Sequence, residues 1–209
     1  MTGKTMATKT KSRKAAKPKA KGSAKKGKAA RPAKRGVRAK QSAAGGPSPK
    51  QQFLDSYARE HATTLRVLRA LPQGQSGFRP HERSQCAGDL VYTMIVEQEL
   101  TKRALTGARL FGGGSMPPKP ADYNAAISQL DKGYAAQVDM IKKTADDDLQ
   151  KMVQFPVAPG QMGNWRAIDF VWFMLLDQIH HRGQFSVILR MAGGKVPSIY
   201  GPSADEPWM

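Results

Sequence analysis

Residues 164–192 run without a proline and close on Gly193-Gly194, with Pro197 beyond. Asn164 is a good N-cap and a glycine pair followed by proline is a good stop, so this stretch predicts one long helix. Its first half, residues 168–176, is apolar on nearly every side. A helix lying on a surface needs a single apolar stripe, whereas one that is apolar all round must be packed by several neighbours. The rest of the chain therefore has to supply those neighbours.

The second half of the same helix is polar in a patterned way. Asp177 and His181 are four residues apart, so both point from one face toward whatever the bundle encloses, and they can present two ligands to one cation. The plainer alternative is an Asp–His hydrogen bond that satisfies two half-buried groups. His180 is rotated by about 100° from His181 and cannot aim at the same ion in a regular helix. Gly183 costs about 1 kcal/mol relative to alanine in mid-helix, which predicts close packing against it.

Three further helices are legible. Residues 50–71 carry Phe53, Tyr57, Leu65 and Leu68 at helical spacing, with His61 beside them as a hydrogen-bonded boundary histidine, and Pro72-Gln73-Gly74 ends the run. Residues 84–105 turn Leu90, Met94 and Leu105 inward and set Asp89, Thr93 and Glu97 in a polar line beside them. Gly107 ends that helix, and residues 111–120 make a long crossover. Residues 121–145 carry Tyr123, Ile127, Leu130, Tyr134, Val138 and Ile141 on one side. Asp146-Asp147-Asp148 lacks calcium-loop spacing and reads as a solvated acidic run. Residues 150–163, with Pro156, Pro159, Gly160 and Gly163, read as a second long loop. Four amphipathic helices with one central crossover give an all-α fold, a four-helix bundle.

Charge divides the chain. Residues 1–50 hold 17 Lys or Arg and no Asp or Glu, while the remainder holds the other 17 basic residues against all 16 acidic ones. The first segment also lacks Leu, Ile, Phe, Tyr and Trp, so it cannot bury enough apolar surface to offset its ordering entropy. We expect a disordered basic tail over residues 1–48 and a bundle domain over residues 49–209. A flexible polycation releases counterions along a polyanion, which points to nucleic acid held by Lys11, Arg13, Lys14, Lys25, Lys26, Lys28, Lys34 and Arg35. Anionic membranes and simple solubility are the other uses of such an arm.

Cys86 is the only cysteine, which excludes an internal disulfide and fits a reducing compartment. No apolar run approaches the length of a membrane span, and the tail lacks the apolar core of a secretory signal. The expected location is cytoplasmic, with nucleoid association through the tail. No glycine-rich phosphate loop, nucleophile elbow, paired-cysteine motif or internal repeat is present.

Two motifs carry a resemblance. His180-His181-Arg182-Gly183-Gln184-Phe185-Ser186-Val187, followed by Leu189-Arg190 and by residues 196–206, closely resembles the C-terminal signature of the DinB-like family. His81-Glu82-Arg83-Ser84 and Gly88-Asp89-Leu90-Val91-Tyr92 resemble that family's entry into its second helix. The resemblance covers about residues 51–206 and implies a four-helix bundle with a divalent metal at its open mouth. The family's ligands are one histidine on helix 2 and an H-x-x-x-H pair on helix 4, which fall on Thr93, Asp177 and His181. Only His181 keeps the family residue. Asp177 is a plausible oxygen ligand and Thr93 a poor one, with Asp89 or Glu97, one turn either side, as substitutes. Zinc, nickel or manganese are the ions such a site would take, and Arg182 and Gln184 lie near enough to orient an anionic substrate.

The resemblance implies a metal-dependent transferase acting with a small thiol, or a hydrolase, in which the metal creates the nucleophile. The alternative is a non-catalytic bundle whose metal site has degenerated, tethered to DNA or another polyanion by its tail. The resemblance also admits a homodimer.

Overall fold

A computed structural model describes residues 46–209. The basic tail and its eight candidate nucleic-acid contacts, Lys11 to Arg35, lie outside the described residues. The elements are α1 (Pro49–Arg69), α2 (Ala87–Thr106), α3 (Tyr123–Lys143), β1 (Met152–Ala158), β2 (Gln161–Arg166) and α4 (Ala167–Met191). α1 packs chiefly on α3 and α4, and α2 on α3 and α4, so the helices follow one another around the bundle as α1, α3, α2, α4.

Local chemistry sets the helix ends. Ser48 caps α1 by accepting from the Gln51 amide at 3.2 Å, with Pro49 in the first turn where its missing N–H is not needed. Asp122 caps α3 through the Ala125 amide at 2.8 Å. Gly107 closes α2 at φ 71°, a left-handed conformation that favours glycine.

The core falls into contiguous groups. Leu68, Leu90, Met94, Leu130, Phe185 and Leu189 fill one end, and Phe53, Tyr57, Ile141, Val171 and Leu175 the other. α4 contributes to every group, as an all-round apolar helix must. Among the described residues no helix is long and apolar enough to cross a membrane.

The expected loop over residues 150–163 is instead an antiparallel hairpin, so the four helices carry one small sheet. Val153 pairs with Trp165 and Phe155 with Gly163, and the register shifts between Pro156 and Ala158, where a proline is tolerated. Val153, Phe155 and Trp165 alternate with exposed residues and pack with Phe170 and Phe173 of α4. Gly163 leaves room for that packing: a Cβ there would lie 2.6 Å from Val157 Cγ1. Asn164 consequently sits in β2 rather than capping a helix, and α4 starts three residues later, with the Ala167 amide donating to the Lys151 carbonyl at 2.8 Å.

Candidate metal centre

Halfway along the seam between α2 and α4, Glu97 of α2 meets Asp177 and His181 of α4. One ligand atom from each lies within 4.8 Å of the others. His181 Nε2 is 2.9 Å from Glu97 Oε1 and 3.8 Å from Asp177 Oδ1. All three come from the middle of long helices, so the cluster lies at mid-height rather than at an open end of the bundle. The helical spacing of Asp177 and His181 puts them on one face, and Glu97 comes from a helix buried on most sides.

Glu97 is the unusual member. Its residue is 4% exposed, and among the described residues neither carboxylate oxygen is assigned a hydrogen-bond partner. His181 Nε2 faces Glu97 as an ion-pair partner. Leaving a buried acceptor unsatisfied costs about 1–3 kcal/mol, and more when it is charged. Burial pushes the Glu97 carboxyl up to about 7, against the opposing pull of His181. The Glu97 carboxylate raises His181 to about 9 in spite of its own burial, with Gln184 and Asp177 adding to the rise.

One imidazole nitrogen and two carboxylates converging on one point fit a divalent cation, with the ion supplying the partner Glu97 lacks. The set is richer in oxygen than a three-histidine site and suits harder ions such as manganese. The Asp177 side chain is 37% exposed, so the centre opens to solvent on that side. Phe173, one turn before Asp177, stacks on Trp165 at 5.1 Å between ring centroids and forms an apolar flank beyond it.

The other candidates sit elsewhere. Thr93 Oγ1 donates to the Asp89 carbonyl and accepts from Gln85 Nε2, each at 3.1 Å, and is not in the cluster. Asp89 pairs with Lys119 at 2.5 Å, which holds its carboxyl below the usual range, and so offers no substitute ligand. Glu97, one turn further along α2, takes that place. Arg182 does not face a substrate. It is 1% exposed, pairs with Glu60 Oε2 at 2.8 Å, and donates to the Tyr200 hydroxyl at 2.6 Å and to Thr64 Oγ1 at 3.3 Å. Rotated one position from His181, it points into the α1–α4 interface and pins the C-terminal segment there. Gln184 touches the cluster through His181, with Oε1 3.0 Å from Nδ1. Gly183 has nothing within 4 Å of where a Cβ would stand, so the expected close packing is absent. His61 is hydrogen-bonded as expected, 2.9 Å from Asp131 Oδ1, but buried and stacked on Tyr134 rather than at the boundary. Asp146 and Asp148 pair with Lys50 and Lys151.

Comparison with known proteins assigns the chain. A family model described as the DinB family matches residues 41–208. The chain belongs to the DinB family. It is similar to the uncharacterized protein YrdA of Bacillus subtilis (strain 168), with 41% identity over 61 residues, which are 29% of this chain and 34% of that protein. The chain thus matches about a third of that relative's length. Its fold is similar to a DinB-like protein, YjoA, from Bacillus subtilis at a TM-score of 0.58 and 14% identity, covering 71% of this chain and 97% of that one. A DinB-like protein from Bacillus cereus ATCC 10987 gives the same TM-score of 0.58 at 23% identity, covering 71% and 95%. At these identities the two structures speak for the fold alone.

Proposed function

We propose that this DinB-family bundle is a metal-dependent enzyme of the hydrolase or small-thiol transferase class, with Glu97, Asp177 and His181 holding one divalent ion. The observation that carries the reading is the convergence of the buried Glu97 carboxylate, whose sole close polar partners among the described residues are the other two members of the cluster, with Asp177 and His181. Bound there, the ion supplies a Lewis acid that lowers the pKa of a water or thiol. The oxygen-rich ligand set favours water over a soft thiolate as the activated group, and so hydrolysis over thiol transfer. Asp177, on the solvent side, can accept a proton from an incoming nucleophile. Phe173 and Trp165 offer an apolar wall to a substrate entering along the seam.

Metal titration of the full chain tests this. One manganese or zinc ion per chain, lost in both Glu97→Gln and His181→Ala, is the expected outcome. Equal uptake in the wild type and both variants would sink the assignment, as would no uptake at all.

The charge division supports a second reading, a bundle tethered to nucleic acid by residues 1–48. Removing those residues should abolish retention of duplex DNA at low salt, because the remaining residues are nearly neutral. Unchanged retention would refute it. A tethered bundle is nucleoid-associated, and the reading requires nothing of Glu97.

A further inference from the structure

We propose that Gln184 is a positioning residue of the metal centre, whose amide selects the ring nitrogen that His181 presents to the ion and is itself oriented by His180. This rests on the reading of Glu97, Asp177 and His181 as ligands.

The side chain of Gln184 lies three residues after His181 and four after His180 on α4, so it reaches both rings. Its Oε1 is 3.0 Å from His181 Nδ1, and its Nε2 is 3.0 Å from His180 Nε2. An amide oxygen only accepts and an amide nitrogen only donates, so His181 Nδ1 must carry a hydrogen and His180 Nε2 must be an acceptor. A neutral His181 ring then has its lone pair on Nε2, the atom that faces Glu97 at 2.9 Å and Asp177 at 3.8 Å. With the hydrogen of His181 on Nδ1 and the lone pair of His180 on Nε2, turning the amide over would lose both contacts, so a flip requires both rings to change tautomer together. A histidine whose own direction misses the ion thus still acts on it, through one intervening side chain.

The need for such a device comes from Glu97. With no acceptor at Nδ1, the neutral ring can move its proton to Nε2, where the Glu97 carboxylate stands 2.9 Å away. The proton would then cover the ligand atom, and the same carboxylate that helps bind the ion would compete with it. The Gln184 carbonyl holds the proton on the far nitrogen. An ion can then replace whatever proton lies on Nε2 without turning the ring. Loss of a group that orients a ligating histidine typically weakens metal binding about 10–100-fold.

Calorimetric titration of the full-length chain with manganese chloride, repeated with zinc chloride, decides the matter. Gln184→Leu keeps the size and removes the acceptor. It should bind about 10–100-fold more weakly at unchanged stoichiometry. Gln184→Glu restores an acceptor at the same atom and should bind at least as tightly as the wild type. His180→Ala frees the amide and should weaken binding less than Gln184→Leu does. Far-ultraviolet circular dichroism confirms that each variant is folded. Wild-type affinity in Gln184→Leu overturns the proposal while leaving the centre intact. Equal weakening in the Leu and Glu variants also overturns it, since a merely structural role would not distinguish them. A greater loss in His180→Ala than in Gln184→Leu overturns the stated order, in which His180 acts only through Gln184. A wild-type chain that takes up no metal overturns both this proposal and the centre.

Discussion

His181 and Arg182 are neighbours on α4, and their surroundings differ in one decisive respect. Every polar group around Arg182 is answered: its guanidinium meets Glu60, Thr64 and Tyr200, and the Tyr200 hydroxyl donates to Glu60 Oε2 at 2.7 Å. Around His181 the buried Glu97 carboxylate has the ion pair with His181 and, among the described residues, no assigned hydrogen bond to complete it. A fully satisfied network specifies structure, whereas a buried group left unanswered marks a place where the fold gives up stability for something else. The two sides should therefore respond differently to apolar substitution.

The largest effect is expected from Arg182→Met, which removes the buried guanidinium and leaves the partly buried Glu60 with only the Tyr200 hydroxyl. Breaking one partner of a buried ion pair costs about 3–5 kcal/mol. Glu97→Leu removes both a desolvated acceptor and the ion pair with His181, two effects of opposite sign, so it should change the stability of the metal-free chain by no more than about 1 kcal/mol. Urea unfolding of both variants without metal measures the contrast. If the two substitutions cost the same, the distinction between the two sides of α4 fails.

A second contrast lies between two histidines. His181 has a folded pKa of about 9 against an ordinary 6.5, so its contribution is fully present below pH 6.5 and is lost as pH rises through about 9. Glu97 acts in the same direction: raised from 4.5 to about 7, it stabilises the acid form and loses that contribution as pH rises through about 7. His61, buried against Tyr134 and held by Asp131, is shifted the other way by desolvation. Its neutral ring is favoured in the fold, so its contribution weakens as pH falls below 6.5. Unfolding measured across pH on the metal-free chain should show His181→Gln abolishing the decline above neutrality and His61→Gln abolishing the loss on the acid side. Saturating manganese should also flatten the decline, because the ion takes the place of the protons. A His181→Gln chain with the wild-type profile would contradict the assignment.

How much of this was legible beforehand depends on how local the physics is. The four helices and their order follow from spacing and punctuation within each segment, and glycine at 107 ends α2 where expected. The hairpin was hidden because Pro156 interrupts β1 and Pro159-Gly160 make its turn, while the period-two signal is only Val153, Phe155 and Trp165. The pairing of Asp177 with His181 is a property of one helix and could be read directly. Glu97 belongs to another helix, and its place at the centre depends on how α2 and α4 pack. The sequence offers Asp89 and Glu97 equally, one turn either side of Thr93, and only that packing brings Glu97 to Asp177 and His181. Arg182 illustrates the same limit of local reading: nothing within α4 reveals Glu60, which comes from α1 and pairs with its guanidinium.

The smallest effects concern two mid-helix glycines, and they sharpen the same lesson about neighbours. The sequence rule assigns close packing to Gly183, yet the space beside it is open, whereas a Cβ on Gly133 of α3 would fall 2.0 Å from Gln98 Oε1. Gln98 cannot simply move away, because its Nε2 donates to the Leu130 carbonyl at 2.9 Å and the residue is buried. Gly133→Ala should therefore destabilise the chain by about 1–3 kcal/mol, as overpacking does. Gly183→Ala meets no atom and relieves the unfolded-state entropy of glycine, so it should stabilise by about 0.5–1 kcal/mol. Thermal unfolding of the two variants gives the sign of each. A lowered midpoint for Gly183→Ala would mean that something beyond the single chain fills the space beside α4, and the mass of the particle in solution would then identify whether that neighbour is a second copy.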